Sequence, residues 1–130
     1  MTPVFVVSGS TGASGSRLTR TALAQFPNAG MPVVIVPDVR TAIHLQDVVE
    51  RAAAQNGMIA HTLVDPDLRT RLEALAQARG VPTVDLIGPL LSQLTRLLGQ
   101  QPAGQPGLYR KLYEEDLKRI DAIEFAVAHD

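Results

Sequence analysis

The sequence contains no cysteine and no tryptophan. Without cysteine there is no disulfide framework, no thiolate metal site and no thiol nucleophile, so the soft ligands left are three scattered histidines, His44, His61 and His129. No spacing of these with serine and aspartate lays out a catalytic triad, and His44 and His61 read as packing or surface residues. No metal site is expected. Lysine is also scarce, with none before Lys111. That absence excludes a P-loop, which needs Lys and then Ser or Thr directly after its last glycine. Neither sign of charge dominates: 12 Lys+Arg against 13 Asp+Glu leave a net charge of −1. An electrostatically driven nucleic-acid or membrane-surface binder would be basic, so neither partner is expected. No apolar run approaches the roughly 18 residues of a membrane span, and Met1-Thr2-Pro3 does not open a secretory leader, so a cytoplasmic protein is expected.

What is present suits a folded domain. The chain has 130 residues, 45% hydrophobic and 19% charged, which places it with single globular domains. Val4-Phe5-Val6-Val7 and Val33-Val34-Ile35-Val36 are unbroken runs of β-formers, the pattern of strands covered on both faces. A third strand is predicted from Met58 to Val64 and a fourth from Val81 to Leu86, where Pro82 points to an edge or strand start. Between them lie helical stripes: Leu18, Ala22 and Phe26; Leu45, Val48, Val49 and Ala52; Leu68, Leu72, Leu75 and Ala76. Asp65-Pro66 is a helix start and Gly80 a helix stop. A further helix from Gly88-Pro89 carries Leu90, Leu91, Leu94, Leu97 and Leu98. This alternation predicts an α/β fold, a Rossmann-like three-layer sandwich with a mainly parallel sheet of about four strands and a long C-terminal helix. The expected organisation is a core over 1–99, a loop over 100–108 and an amphipathic helix over 109–130.

Ligands in such folds collect beyond the carboxyl ends of the strands. The strongest signal there is Ser8-Gly9-Ser10-Thr11-Gly12-Ala13-Ser14-Gly15 with Arg17, set between the first strand and the first helix. Glycines let backbone approach an anion, first-turn N–H groups point at it, and hydroxyls add donors. Two readings stand. Ser8, Gly9, Ser10, Thr11, Gly12, Ser14, Gly15 and Arg17, with Arg40 from the end of the second strand, bind phosphate; or the glycines serve only to turn the chain. The spacing is G-x-x-G-x-x-G, whereas a dinucleotide fingerprint is G-x-G-x-x-G. Asp38 nevertheless stands where an acid would take a ribose hydroxyl. Asp38, Asp65 and Asp85 together offer a carboxylate cluster for general-base or magnesium chemistry. Each also has a simpler role: turn former, helix cap and strand-end residue.

Several segments resemble the N-terminal half of the pyruvate, phosphate dikinase regulatory protein family, also called phosphoenolpyruvate synthase regulatory proteins. They are Val7-Ser8-Gly9-Ser10-Thr11-Gly12, Val39-Arg40-Thr41, His61-Thr62-Leu63-Val64-Asp65, Val84 through Leu91, Pro106-Gly107-Leu108 and, most specific, Lys118 through Asp130. The resemblance implies a bifunctional enzyme that uses ADP to phosphorylate a threonine of the dikinase or synthase, and inorganic phosphate to remove that group as pyrophosphate. ADP and inorganic phosphate are then the small-molecule partners, and the dikinase or synthase is the protein substrate. The family usually has Asp where Gly9 stands, so a carboxylate role at that position is lost. Its P-loop lies beyond a block corresponding to the end of this chain. The expectation is therefore a phosphate- or target-binding domain that is inactive alone. Two alternatives remain: a small nucleotide- or dinucleotide-binding module, and an interaction domain that dimerises through its leucine-rich or terminal helix.

Overall fold

The computed structural model of the chain describes residues 2–112. Its elements run β1 (Val4–Val7), α1 (Ala13–Leu23), β2 (Val33–Val36), α2 (Ala42–Ala54), β3 (Met58–His61), α3 (Pro66–Arg79), β4 (Thr83–Asp85) and α4 (Gly88–Leu98). The four strands form one sheet in the order β2-β1-β3-β4, with every neighbouring pair parallel. This is the α/β three-layer arrangement that the alternation of strands and helices predicts. β1 is hydrogen-bonded on both sides and buried throughout, which is why its sequence is a continuous apolar run and not an alternating one. β4 is an edge, and Pro82, immediately before it, needs no ladder N–H.

Successive strand side chains point to opposite faces. Phe5, Val7 and Ile59 face α2 and α3 and pack with Leu45, Val48, Val49, Leu72 and Ala76 in the main core. α1 lies on the other face, above Val6. Its contact is made by small residues: Gly15 and Ser16 are buried, and a Cβ added at Gly15 would meet Val6 Cγ1 at 2.9 Å. The expected burial of Leu18, Ala22 and Phe26 is therefore corrected. Leu18 and Phe26 are exposed at 49% and 65%, and Ala22 is also exposed. A helix that approaches a sheet through glycine turns its bulky residues outward.

Two strands end earlier than predicted. β3 stops at His61 instead of Val64, because the chain turns toward Asp65, whose Oδ1 accepts the N–H groups of Asp67 and Leu68 at 2.9 and 3.3 Å and caps α3. β4 spans only Thr83–Asp85, since the Asp85 carboxylate pulls the chain directly into α4. Gly80 and Gly99 close α3 and α4 at φ 67° and 61°, a left-handed conformation that glycine adopts without penalty. On α4 the leucine stripe faces outward: Leu90, Leu94, Leu97 and Leu98 are exposed, and Gly88 is the buried residue of that helix. Helix resumes at residue 108 and continues to 112, one residue earlier than expected. The rest of the predicted terminal helix, 113–130, lies outside the described residues.

The two leucine sets should respond oppositely to truncation. Leu45→Ala removes a fully buried side chain and should cost about 2–5 kcal/mol in urea unfolding. Leu97→Ala, at 81% exposure, should stay within about 0.5 kcal/mol of the parent.

Candidate functional site

The glycine-rich turn leaves β1 at the carboxyl end of the sheet and is held in place by its own backbone. Ser8 is buried, and its Oγ accepts the Ser10 N–H at 3.0 Å. Val39 N–H donates to the Ser8 carbonyl and Asp38 N–H to the Ser10 carbonyl, both at 2.9 Å. Arg40 Nε donates to the Gly9 carbonyl at 3.0 Å. The segment after β2 therefore staples the turn, and Asp38 reaches its place there with φ 55°, a left-handed conformation that aspartate tolerates. Arg40 stands beside the turn as the sequence suggested, and one of its donors is spent on backbone.

Gly12 is the pivot. Its φ is 81°, and a Cβ there would lie 2.6 Å from Ile35 Cγ2, so both its conformation and the space around it require glycine. It caps α1 with no side-chain hydrogen bond, and the first turn of the helix contains no acid. The positive end of α1 is thus left uncompensated by side chains of its own first turn. Thr11 Oγ1 accepts the Ala13 N–H at 3.3 Å. Thr11, Ser14 and Arg17 are exposed, Ser10 is half-buried, and Gly9 and Gly15 are buried. The predicted phosphate-binding residues are therefore gathered around one helix start. What the sequence did not reveal is a roof. A Cβ at Gly9 would meet Pro106 Cβ at 2.9 Å, and one at Gly107 would lie 3.6 Å from Ser10 Oγ.

The three aspartates do not assemble into one cluster. Asp65 is an N-cap, and Asp38 sits at the stapled turn. Asp85 anchors a second corner at the β4 edge. Its Oδ2 accepts Arg69 at 2.7 Å, and its Oδ1 accepts the Ile87 and Gly88 N–H groups at 3.0 and 2.7 Å. Gly88 has to be glycine here, because any Cβ would collide with the Arg69–Asp85 pair. Burial pushes the Asp85 carboxyl up, but the hydrogen bonds from Arg69, Gly88 and Ile87 outweigh it, and the net shift is below the ordinary 3.8.

His61, in register with Asp85 on the neighbouring strand, is fully buried. The Leu63 N–H donates to its Nδ1 at 3.2 Å, and its Nε2 has no partner. Among the described residues, His61, Glu73 and Asp85 are the group whose ligand-type atoms all lie within 4.8 Å of one another. Burial lowers the His61 pKa below 6.5, opposed by the charge of Asp85, assisted by Arg69 and opposed again by Glu73. The sequence marks Asp85 as a candidate carboxylate and His61 as a strand-end residue, but it does not join them with Glu73, because the three stand 12 residues apart on different elements.

Comparison with known proteins converges on one family. The sequence profile of the kinase/pyrophosphorylase family matches residues 4–130. A protein of Chloroflexus aurantiacus (strain J-10-fl) named as a pyruvate, phosphate dikinase regulatory protein is 48% identical over 128 residues, covering 98% of this chain and 46% of the relative. One of Desulfotalea psychrophila with the same name is 37% identical over 127 residues, covering 98% and 45%. The chain spans about half the length of the curated relatives it matches.

Both shifted groups make acid destabilising. His61 is held neutral in the fold while the unfolded chain takes up a proton near pH 6.5, so its contribution is complete above that pH and declines as pH falls below it. Asp85, depressed below 3.8, contributes above that value and loses its contribution as pH falls through its folded pKa. Chemical denaturation followed between pH 8 and pH 3 should show two declines, and His61→Phe should remove the upper one.

Proposed function

The chain belongs to the kinase/pyrophosphorylase family, and on that premise we propose that it is the N-terminal domain of a bifunctional ADP-dependent threonine kinase and phosphate-dependent phosphorylase. Its protein substrate is pyruvate, phosphate dikinase or phosphoenolpyruvate synthase. The relatives' names support the first of these targets. The domain's task is to hold phosphate, or the phosphorylated segment of the target, at the turn from Ser8 to Gly15. The observation that carries this reading is the start of α1: a glycine cap at φ 81°, no acid in the first turn, and Ser14, Arg17 and Arg40 around it at the carboxyl end of the sheet.

In this reading the free first-turn N–H groups and the Ser10, Thr11 and Ser14 hydroxyls meet phosphate oxygens, and Arg17 adds a charge-assisted bond. The chain has no P-loop lysine, and Gly9 stands where the family usually has Asp. Without that lysine and that carboxylate the domain lacks part of the electrostatic stabilisation that dominates phosphoryl transfer. The domain alone is accordingly inactive, with ADP bound by the family's other half. Among the described residues no helix is long and apolar enough to cross a membrane, and a cytoplasmic location belongs to the same proposal.

Amide NMR of the 130-residue chain, titrated with inorganic phosphate, ADP and NAD in turn, tests it. Phosphate or ADP should shift the Ser8–Arg17 signals saturably, and Arg17→Ala combined with Ser14→Ala should weaken phosphate by about tenfold or more. NAD-selective shifts extending to Asp38 would favour the dinucleotide module instead. No shift with any of the three would mean that the turn is architectural. ADP-dependent threonine phosphorylation by the chain alone would refute the claim of inactivity.

A further inference from the structure

The corner at the β4 edge is unused by this reading. A cavity of about 380 Å³ opens between α3 and β4, lined by His61, Glu73, Gln77, Thr83 and Asp85 with Ala76 and Val81 behind them. His61 has no exposed surface, yet its Nε2 has no hydrogen-bond partner. A buried polar atom left this way calls for a partner from outside the chain.

The tautomer determines what that partner is. Leu63 N–H donates to Nδ1, so Nδ1 must keep its lone pair, and the neutral ring carries its proton on Nε2. Burial keeps the ring neutral. A metal ion at Nε2 would need that proton moved to Nδ1, where it would face the Leu63 N–H. It would also sit against the Arg69 guanidinium on Asp85 Oδ2. A lone anion fits no better, because it would meet the carboxylates of Glu73 and Asp85. At its buried end the cavity lining offers an unpartnered donor, Nε2–H, beside carboxylate acceptors; Arg69 Nε is also unpartnered, but Arg69 does not line the cavity. Asp85 is already engaged by Arg69, Ile87 and Gly88, whereas Glu73 makes no hydrogen bond or ion pair among the described residues. One imidazole nitrogen and one oxygen from each carboxylate lie within 4.8 Å of one another. A single group presenting an acceptor next to an N–H donor can span them, each bond being about 2.9 Å long.

We propose that this corner is a second small-molecule site that binds an acceptor–donor edge, such as a primary carboxamide or the aminated edge of a purine base. His61 Nε2 donates to its acceptor and Glu73 accepts from its N–H. Glu73 is exposed on α3 and lines the cavity on that side. The site is separate from the glycine turn and does not depend on phosphate binding there.

The experiment titrates the full 130-residue chain with nicotinamide, adenosine, nicotinate and zinc chloride, reading the His61 imidazole 15N resonances. Nicotinamide, adenosine or both should shift Nε2 saturably, and which of them does so identifies the source of the edge. Nicotinate, which replaces the amide donor with a second acceptor facing Glu73, should not. Glu73→Ala, a change at an exposed position, should weaken the binding about tenfold, and His61→Phe should abolish it. If His61→Phe does not fold, Glu73→Ala carries the test. The proposal fails if neither amide nor purine shifts Nε2, if nicotinate binds as well as nicotinamide, or if zinc produces a metal-bound imidazole signal.

Discussion

The approach of α1 to the sheet at the distance only glycine allows is the constraint on which the candidate phosphate site rests. Gly15 lays the helix against Val6, and Gly12, in a left-handed conformation against Ile35, sets the angle at which the helix begins. A side chain at either position would lift the helix and turn its first N–H groups away from the carboxyl end of β1. The same closeness inverts the helix's outer surface, since a contact made by small residues has no room for Leu18. Site geometry and surface character therefore come from one packing choice.

Asp85 plays the corresponding part on the far side. It ends β4, caps α4 through two backbone N–H groups and holds Arg69 of α3, so a single carboxylate fixes three elements at the sheet edge. Gly88 makes the arrangement possible by leaving space for the pair. His61 is buried beside this network, and its unusual state follows from register: Val7, His61 and Asp85 form one row across β1, β3 and β4. A valine begins the row inside the core, and a carboxylate ends it at the edge.

Much of this was legible in the sequence. The runs Val4–Val7 and Val33–Val36 announced covered parallel strands, and Asp65-Pro66 and Gly80 marked α3 with the chemistry that bounds it. The glycine turn was legible because its residues are contiguous. What periodicity does not reveal is which face of a helix finds a partner. The α1 stripe Leu18, Ala22 and Phe26 has helical spacing, but contact went to Gly15 and Ser16, whose small size carries no hydrophobic signal. The corner of His61, Arg69, Glu73 and Asp85 is assembled by strand pairing across separate elements, and local sequence does not encode such a meeting.

The contact between Gly9 and Pro106 joins two positions 97 residues apart. A Cβ at residue 9 would meet the proline ring at 2.9 Å, so a larger residue there displaces the loop as well as the turn. The turn is consequently not a separable part: grafted onto another α/β domain without the loop that carries Pro106, it would lose its cover.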